Sequence, residues 1–217
     1  MNNIKLAKIT GWSLILMALI SGFSVGYAYQ ELYQPEQFSL LKDNLAQNIG
    51  LYKYMLVGIL LILILDLLVS YTLFIYFKND NKKISLVSAI LRIIYTVIFG
   101  VATYYLTNNL NINKVDNQLI QNNFQLFQSI WSVGLIVFGV HIVLVGILMK
   151  LHKRILKILW CLTLIAGMSY IVVHFIKLNN PHSELADTLE MILALPMALG
   201  ELGLAIWLLI KGGKEHL

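Results

Sequence analysis

The chain has 217 residues, of which 59% are hydrophobic and only 12% are charged. A soluble domain is nearer half apolar and a quarter charged, so this composition excludes an ordinary water-soluble fold. The formal net charge of +5 would suit a nucleic-acid partner, but the positive residues lie beside apolar stretches, where they report topology instead. The single cysteine, Cys161, excludes an intrachain disulfide framework and a cysteine-based metal site. The predicted partner is therefore the lipid bilayer, with no role for nucleic acid.

Six apolar stretches follow one another along the chain, each long enough to cross the hydrocarbon of a bilayer as a helix. Within lipid, only helices and closed barrels satisfy their own backbone hydrogen bonds, and a barrel would show short alternating segments. These stretches are continuous. The sequence therefore predicts an all-α, polytopic transmembrane bundle that forms a single domain over residues 1–217. The predicted spans are residues 9–29, 54–77, 84–106, 127–149, 157–177 and 188–210.

The long connection between the first two spans also has a helical pattern. Leu41, Leu45 and Ile49 recur at helical spacing after Pro35, a residue type favoured at the start of a helix. We therefore expect a short helix over residues 36–48 that lies on the outer surface of the membrane.

The distribution of Lys and Arg beside the spans predicts their orientation, because cytoplasmic loops carry an excess of these residues. Eleven lie at one side: Lys5, Lys8, Lys78, Lys82, Lys83, Lys150, Lys153, Arg154, Lys157, Lys211 and Lys214. Four lie at the other: Lys42, Lys53, Lys114 and Lys177. The count predicts that the N-terminus and the C-terminus are both cytoplasmic.

The first span has a second interpretation. Lys5 and Lys8, the apolar run and the small residues Gly26 and Ala28 together resemble a signal peptide with its cleavage site. Cleavage there would leave a chain that begins at Tyr29 and has five spans. The apolar run reaches about 20 residues, which favours a retained first transmembrane helix.

Four ionisable residues, Asp66, Arg92, His141 and Glu201, fall well inside four different predicted spans. At 1.5 Å per residue, all four lie roughly 12–17 Å from the cytoplasmic boundary. An isolated charge at that depth costs at least about 2.5–3.5 kcal/mol, so lipid-facing positions are disfavoured. We therefore expect the four side chains to converge, with the guanidinium of Arg92 bridging the two carboxylates.

Such a cluster has two interpretations: a polar network that fixes helix packing, or a binding or catalytic site. Protonation of His141 would make the set neutral in net charge. A metal site is not predicted, because His174 lies roughly 12 Å from the level of His141 and Arg92 adds a permanent cation. No cofactor is predicted either. His174 and Glu190 form a candidate secondary pair near the outer surface.

The sixth predicted span combines a carboxylate with three helix-modifying residues. Pro196 cannot donate a backbone hydrogen bond, so it is expected to kink the helix. Gly200 and Gly203 flank Glu201 and would let a ligand, water or a neighbouring helix approach closely. The pattern fits the wall of a binding site or ordinary small-residue packing.

The most specific stretch of the chain is residues 200–212, GELGLAIWLLIKG. With FGVH at 138–141, AGMSY at 166–170 and the run from Asp66 to the later Arg92, it resembles an uncharacterised family of bacterial multi-pass membrane proteins, domain of unknown function 4386. The resemblance covers nearly the whole chain and implies a bacterial inner-membrane protein with the same four polar positions. It implies no activity. The loop at residues 151–154 departs from the family pattern.

Three functional hypotheses follow from the sequence. The first is a membrane protein with a buried polar pocket that binds or translocates a small solute, a proton or a lipid. The second is an intramembrane enzyme acting on lipid or peptide, in which a carboxylate and His141 serve as acid and base. The third is a non-catalytic membrane subunit whose polar network only holds helices together. The sequence does not indicate an oligomeric state.

Overall fold

The structure, a computed structural model, describes residues 3–152, 154–180 and 183–212. Over these residues the chain is helical and contains no strand. The first helix, Asn3–Ser21, continues through a π-helical turn at Gly22–Ala28 into Tyr29–Leu32. The other α-helices are Leu41–Gln47, Ile49–Thr107, Asn117–Leu151, Lys157–Asn179 and Glu184–Ile210. The all-α, multi-pass architecture is confirmed.

The long helix Ile49–Thr107 contains two spans rather than one. Asn81 within it has an extended backbone (φ −161°, ψ 103°), so the chain turns at this residue. The Asn81 side chain accepts a hydrogen bond from the backbone N–H of Ile84 at 3.1 Å, as an N-cap residue does. Five helices are long and apolar enough to cross a membrane, and the Asn81 turn divides one of them. We therefore number six spans: the second is residues 49–80 and the third is residues 82–107.

The fourth span, Asn117–Leu151, extends well past the hydrocarbon. Its 35 residues measure ~52 Å at 1.5 Å per residue, against a hydrocarbon thickness of ~30 Å. Asp116 caps its first turn by accepting a hydrogen bond from the N–H of Leu119 at 2.8 Å. The surplus length supports the connection between the first two spans, where Asn117 accepts a hydrogen bond from the backbone N–H of Lys42.

The surface helix is shorter than the sequence predicted. Pro35–Leu40 is a 3₁₀ segment, interrupted at Gln37 by non-helical dihedral angles, and only Leu41–Gln47 is α-helical. Leu41 and Leu45 are fully buried against the bundle. The apolar periodicity thus identified the buried face, but the break at Gln37 had no sequence signal.

The six spans form a closed ring in chain order, with the first span packed against both the second and the sixth. Glycines mark the closest approaches. A Cβ at Gly58 of the second span would lie 2.0 Å from Ser24 Oγ of the first. A Cβ at Gly11 of the first span would lie 2.9 Å from the carbonyl oxygen of Ala205 in the sixth. We call the end of the ring that carries the Asn81 turn the inner end, since the charge count predicts that it is cytoplasmic.

Apolar side chains form two cores, one toward each end of the ring. The outer core is rich in aromatic residues such as Phe124, Phe127 and Tyr52, and the inner core contains Phe77 and Trp207. The four ionisable residues lie at the level between the two cores.

Candidate functional site

Arg92 of the third span is the centre of the buried cluster and is fully buried. Its Nε donates a hydrogen bond to Asp66 Oδ1 at 2.8 Å, and its Nη2 lies 2.7 Å from the same oxygen. Its Nη1 lies 3.2 Å from His141 Nε2 and 3.4 Å from Glu201 Oε1. The guanidinium carbon also lies 5.4 Å from the ring centroid of Phe138. One cation thus contacts the second, fourth and sixth spans.

His141 is held from both sides of its ring. Nδ1 lies 2.8 Å from the carbonyl oxygen of Ser88 and 2.9 Å from the Ser88 hydroxyl, while Nε2 faces the guanidinium of Arg92. A carbonyl oxygen can only accept a hydrogen bond and a guanidinium can only donate one. Both contacts are satisfied when Nδ1 carries the proton and Nε2 is an acceptor. The geometry therefore favours a neutral imidazole, and the protonated His141 considered from the sequence would place a proton against Arg92.

Asp66 and Glu201 differ in how firmly they are held. The Asp66 side chain is 1% exposed and makes two short contacts with Arg92, whereas the Glu201 side chain is 26% exposed and makes one contact at 3.4 Å. The short pair neutralises Asp66. With a neutral His141, Glu201 is the excess carboxylate of the cluster and the one that can accept another partner.

A cavity of about 510 Å³ opens above the cluster, toward the outer end of the ring. Asp66 and Glu201 line its floor, and Glu190 and His174 lie nearer its outer end. The remaining lining residues are apolar, small or aromatic: Leu14, Met17, Ala18, Ser21, Gly22, Val25, Gly26, Ile62, Tyr95, Trp131, Leu135, Phe138, Tyr170, Ala194, Met197, Ala198 and Leu202. Every charged lining residue is acidic. The volume of the cavity falls in the range of small-molecule binding sites.

Three buried polar atoms of residues that line this cavity lack a hydrogen-bond partner among the described residues: Asp66 Oδ2, His174 Nδ1 and Trp131 Nε1. Of these residues, Asp66 and His174 are at least nine-tenths buried. A buried polar atom without a partner costs about 1–3 kcal/mol, so native structures usually provide one. All three atoms belong to residues that line the same cavity, so a molecule bound there is placed to supply the missing partners.

The secondary outer pair is arranged differently from the sequence interpretation. Glu190 bonds to Lys177, which also lies 3.3 Å from Asp187, and no hydrogen bond within the described ranges joins Glu190 to His174. The His174 ring instead stacks on Tyr170, with centroids 6.3 Å apart. Sequence position indicates the height of a residue along its helix but not the direction in which its side chain points. Here the orientation of the two helices brings Lys177, and not His174, to Glu190.

The glycines that flank Glu201 serve helix packing. A Cβ at Gly200 would lie 2.8 Å from Ala166 Cβ of the fifth span, and a Cβ at Gly203 would lie 2.9 Å from Leu159. Neither glycine lines the cavity. The sixth span remains helical through Pro196. Of the two interpretations of these glycines, the structure supports close packing against the fifth span.

A smaller polar group at the inner end was not predicted from the sequence. His152 Nδ1 lies 2.9 Å from Asp80 Oδ2, and the His152 ring contacts the rings of Tyr76 and Trp207. This contact joins the turn at Asn81 to the loop after the fourth span. Loop residues carry no helical periodicity, so spacing could not have paired them. His152 thus contributes a packing contact from the loop after the fourth span.

Among the described residues, no group of three or more His, Cys, Asp or Glu is arranged to hold a metal ion. The cluster itself offers hydrogen bonds and charge: one carboxylate paired with a guanidinium, a second carboxylate facing a cavity, and aromatic walls.

These features define a multi-pass helical membrane protein with a buried, charged layer below an outward cavity. The model of the family described as Domain of unknown function (DUF4386) matches residues 9–212, and the chain belongs to this family. An uncharacterised protein of Archaeoglobus fulgidus is 30% identical over 161 residues, which cover 74% of this chain and 85% of that protein. That relative is archaeal, so the similarity extends beyond the bacterial proteins named from the sequence. No solved structure matches the chain.

Proposed function

We propose that this membrane protein binds a monovalent organic cation with an apolar body in the cavity, with the carboxylate of Glu201 as its charge partner. The single observation that carries the proposal is the exposure of Glu201 to a cavity whose walls are mostly apolar and aromatic and whose charged lining residues are all acidic. The other members of the cluster are already paired with one another. Glu201 has a single contact with Arg92, at 3.4 Å, and charges attract more strongly in a low-dielectric site, so a cation that reaches this carboxylate gains more than it would in water.

The walls support the same class of ligand. Tyr95, Trp131 and Tyr170 line the cavity above the carboxylates. Aromatic faces attract cations electrostatically, and the attraction is stronger where water is excluded. An anion would meet only acidic charges in this lining. Among the solute, proton and lipid considered from the sequence, an ammonium-bearing small molecule therefore fits the cavity best.

The enzymatic hypothesis has less support. His141, the acid or base that it requires, lies behind Arg92, is 1% exposed and does not line the cavity. Both of its ring nitrogens already have partners. A general base must reach the proton that it abstracts within hydrogen-bond distance. We further propose that the protein resides in the cytoplasmic membrane with its inner end toward the cytoplasm, in keeping with the count of Lys and Arg.

The test uses dodecylammonium as the cation and dodecanol as its uncharged counterpart, with the full chain in phosphatidylcholine nanodiscs. A ligand that binds the folded state raises the thermal unfolding temperature by mass action. We expect a saturable rise with dodecylammonium and none with dodecanol. Glu201→Gln should weaken the apparent affinity by at least about tenfold, which corresponds to about 1.4 kcal/mol.

The matched control is Glu184→Gln. Glu184 lies in the first turn of the same helix, is exposed and does not line the cavity. This variant should retain the affinity of the unmodified chain. Equal affinity in Glu201→Gln, or equal binding of dodecanol, would overturn the proposal.

A further inference from the structure

The cavity borders a gap between the first and sixth spans in the outer half of the ring. Five small residues both line the cavity and are exposed on the surface of the bundle: Ala18, Gly22, Gly26, Ala194 and Ala198. The first three recur every four residues on the first span, and the last two do so on the sixth. Residues four apart share one face of a helix, so each span presents a strip of small side chains at the gap.

Nearer the inner end the same two spans are in close contact. A Cβ at Gly11 would lie 2.9 Å from the carbonyl oxygen of Ala205, and a Cβ at Gly212 would lie 2.9 Å from Ala7 Cβ. Toward the outer end no such contact occurs at the glycines of the gap. A Cβ at Gly22 has no neighbour within 4 Å among the described atoms, and one at Gly26 meets only its own helix at 3.9 Å. The two spans therefore separate from the middle of the bundle outward.

Large apolar side chains flank this gap at the same level. Leu19 and Phe23 of the first span and Met191 and Leu195 of the sixth are 42–75% exposed. Such side chains in a membrane-spanning ring face lipid tails. The gap therefore opens sideways into the hydrocarbon of the outer half, where a solute dissolved in the membrane would meet it.

We infer that the ligand of the cavity is a membrane-dissolved amphiphile, a single apolar chain with an ammonium head, and that it enters between the first and sixth spans. This inference rests on the proposed function, because it assumes that Glu201 binds the head. Two further observations point to a ligand at this place. On two sides of the cavity that the gap reaches, the buried atoms Asp66 Oδ2 and His174 Nδ1 have no hydrogen-bond partner within the described part of the chain. The lining between them is apolar and suits a chain.

The backbone beside the gap supports this route. Gly22–Ala28 is π-helical, a form that is rare and is frequent at functional sites. A π-helical turn widens the helix and changes the facing of the residues after it. It places Gly22 and Gly26 at the gap while Ser24 packs against Gly58 of the second span.

The experiment follows entry with a brominated probe, since bromine quenches nearby indole fluorescence. The probe is dodecylammonium with two bromine atoms on its alkyl chain, added to the full chain in phosphatidylcholine nanodiscs. Of the four tryptophans, only Trp131 lines the cavity, so the quenching component that disappears in Trp131→Phe reports occupancy. We expect saturable quenching of Trp131 that Glu201→Gln weakens at least tenfold.

The gap itself is tested by Gly22→Leu, whose side chain would fill it without a backbone clash. We expect this variant to slow or weaken quenching of Trp131 at least tenfold while the unfolding temperature is retained. The matched control is Gly50→Leu, because Gly50 is also exposed and without neighbours within 4 Å but lies away from the cavity. Ala194→Leu, on the opposite wall of the gap, provides a second variant if Gly22→Leu folds poorly, and we expect the same loss of quenching.

The outcomes separate the inference from the function on which it rests. Butylammonium, added from water, should fail to displace the probe at the same aqueous concentration. Displacement by butylammonium, with quenching unchanged in the folded gap variant, would overturn entry from lipid but leave the Glu201 site standing. Quenching that does not depend on Glu201 would overturn the proposed function itself. Conversion of a dimer to a monomer by Gly22→Leu, with quenching unchanged, would make the gap an interface between copies and would also overturn the inference.

Discussion

The buried cluster depends on Arg92, because this residue contacts the cluster residues of the three other spans that contribute one. Its short pair with Asp66 lies inside the ring, where Asp66 has no other charged partner among the described residues. Breaking such a pair by removing one partner typically costs about 3–5 kcal/mol, since the remaining charge stays buried. The stability of the bundle is therefore sensitive to this one position.

We expect Arg92→Leu to lower the thermal unfolding temperature in detergent far more than Lys114→Leu, which removes a positive charge from an exposed loop residue. The stranded carboxylate of Asp66 is the physical reason. In the double variant Asp66→Leu with Arg92→Leu, part of the lost stability should return, because the fully buried carboxylate of Asp66 is no longer present without its partner. Equal unfolding temperatures for Arg92→Leu and Lys114→Leu would show that the pair does not stabilise the fold.

Sequence reasoning identified which ionisable residues would meet, because height along each span follows from the helical rise and unpaired charges in lipid are costly. It could not identify how each side chain would be engaged. The double contact of His141 with Ser88, and the pairing of Glu190 with Lys177, depend on the rotation of each helix about its axis. That rotation depends on the packing of all six spans against one another, so it cannot be read from the sequence of any one span.

At the scale of the helices, the fourth and fifth spans approach each other through their backbones. A Cβ at Gly139 would lie 2.7 Å from the carbonyl oxygen of Gly167, and a Cβ at Gly167 would lie 2.8 Å from the carbonyl oxygen of Gly139. These glycines belong to two of the motifs through which the chain resembles its family. The motif glycines therefore hold the fourth span, with His141 two residues beyond Gly139, against its neighbour.

We expect Gly167→Ala to destabilise the bundle by about 1–3 kcal/mol, the usual cost of overpacking a tight contact. The added methyl would meet backbone atoms, which cannot move aside as a flexible side chain can. Gly22→Ala is the matched control, since a Cβ there has open space. Thermal unfolding of both variants in the same detergent measures the difference, and an unchanged unfolding temperature for Gly167→Ala would contradict the observed crossing.

The spans themselves were accessible from hydropathy, but their ends were not. The Asn81 turn joins two helices with almost no intervening loop, and Asp116 starts the fourth span ten residues earlier than the apolar run suggests. Polar residues at these positions, Asn81 and Asp116, act as caps. Hydropathy alone counts them as loop, so the predicted spans are shorter than the observed helices.

Over the whole molecule, an even number of spans brings the start of the first span and the end of the sixth span to the same side of the membrane. We expect a reporter fused after Leu217 to be active in the cytoplasm and inactive outside the cell, because the count of Lys and Arg favours a cytoplasmic inner end. Activity outside the cell would contradict this orientation.

The first span forms one side of the gap and part of the cavity wall, so the cavity requires that this span is not cleaved off. We expect the N-terminal sequence of the purified protein to include the residues before Ala28. A mature chain beginning at Tyr29 would have five spans and would lack Leu14, Met17 and the small residues that line the cavity. N-terminal mass spectrometry of the membrane-extracted protein distinguishes the two cases.

The proposed role of Glu201, a binding group within a structural cluster, can be seen in an experimental structure of the protein in nanodiscs with dodecylammonium. We expect density for one alkyl chain in the cavity, with the ammonium nitrogen about 2.7–3.2 Å from the carboxylate of Glu201 and the Asp66–Arg92 pair unchanged. A cavity without the amine at saturating concentration, with Glu201 closed onto Arg92 through both carboxylate oxygens, would contradict it.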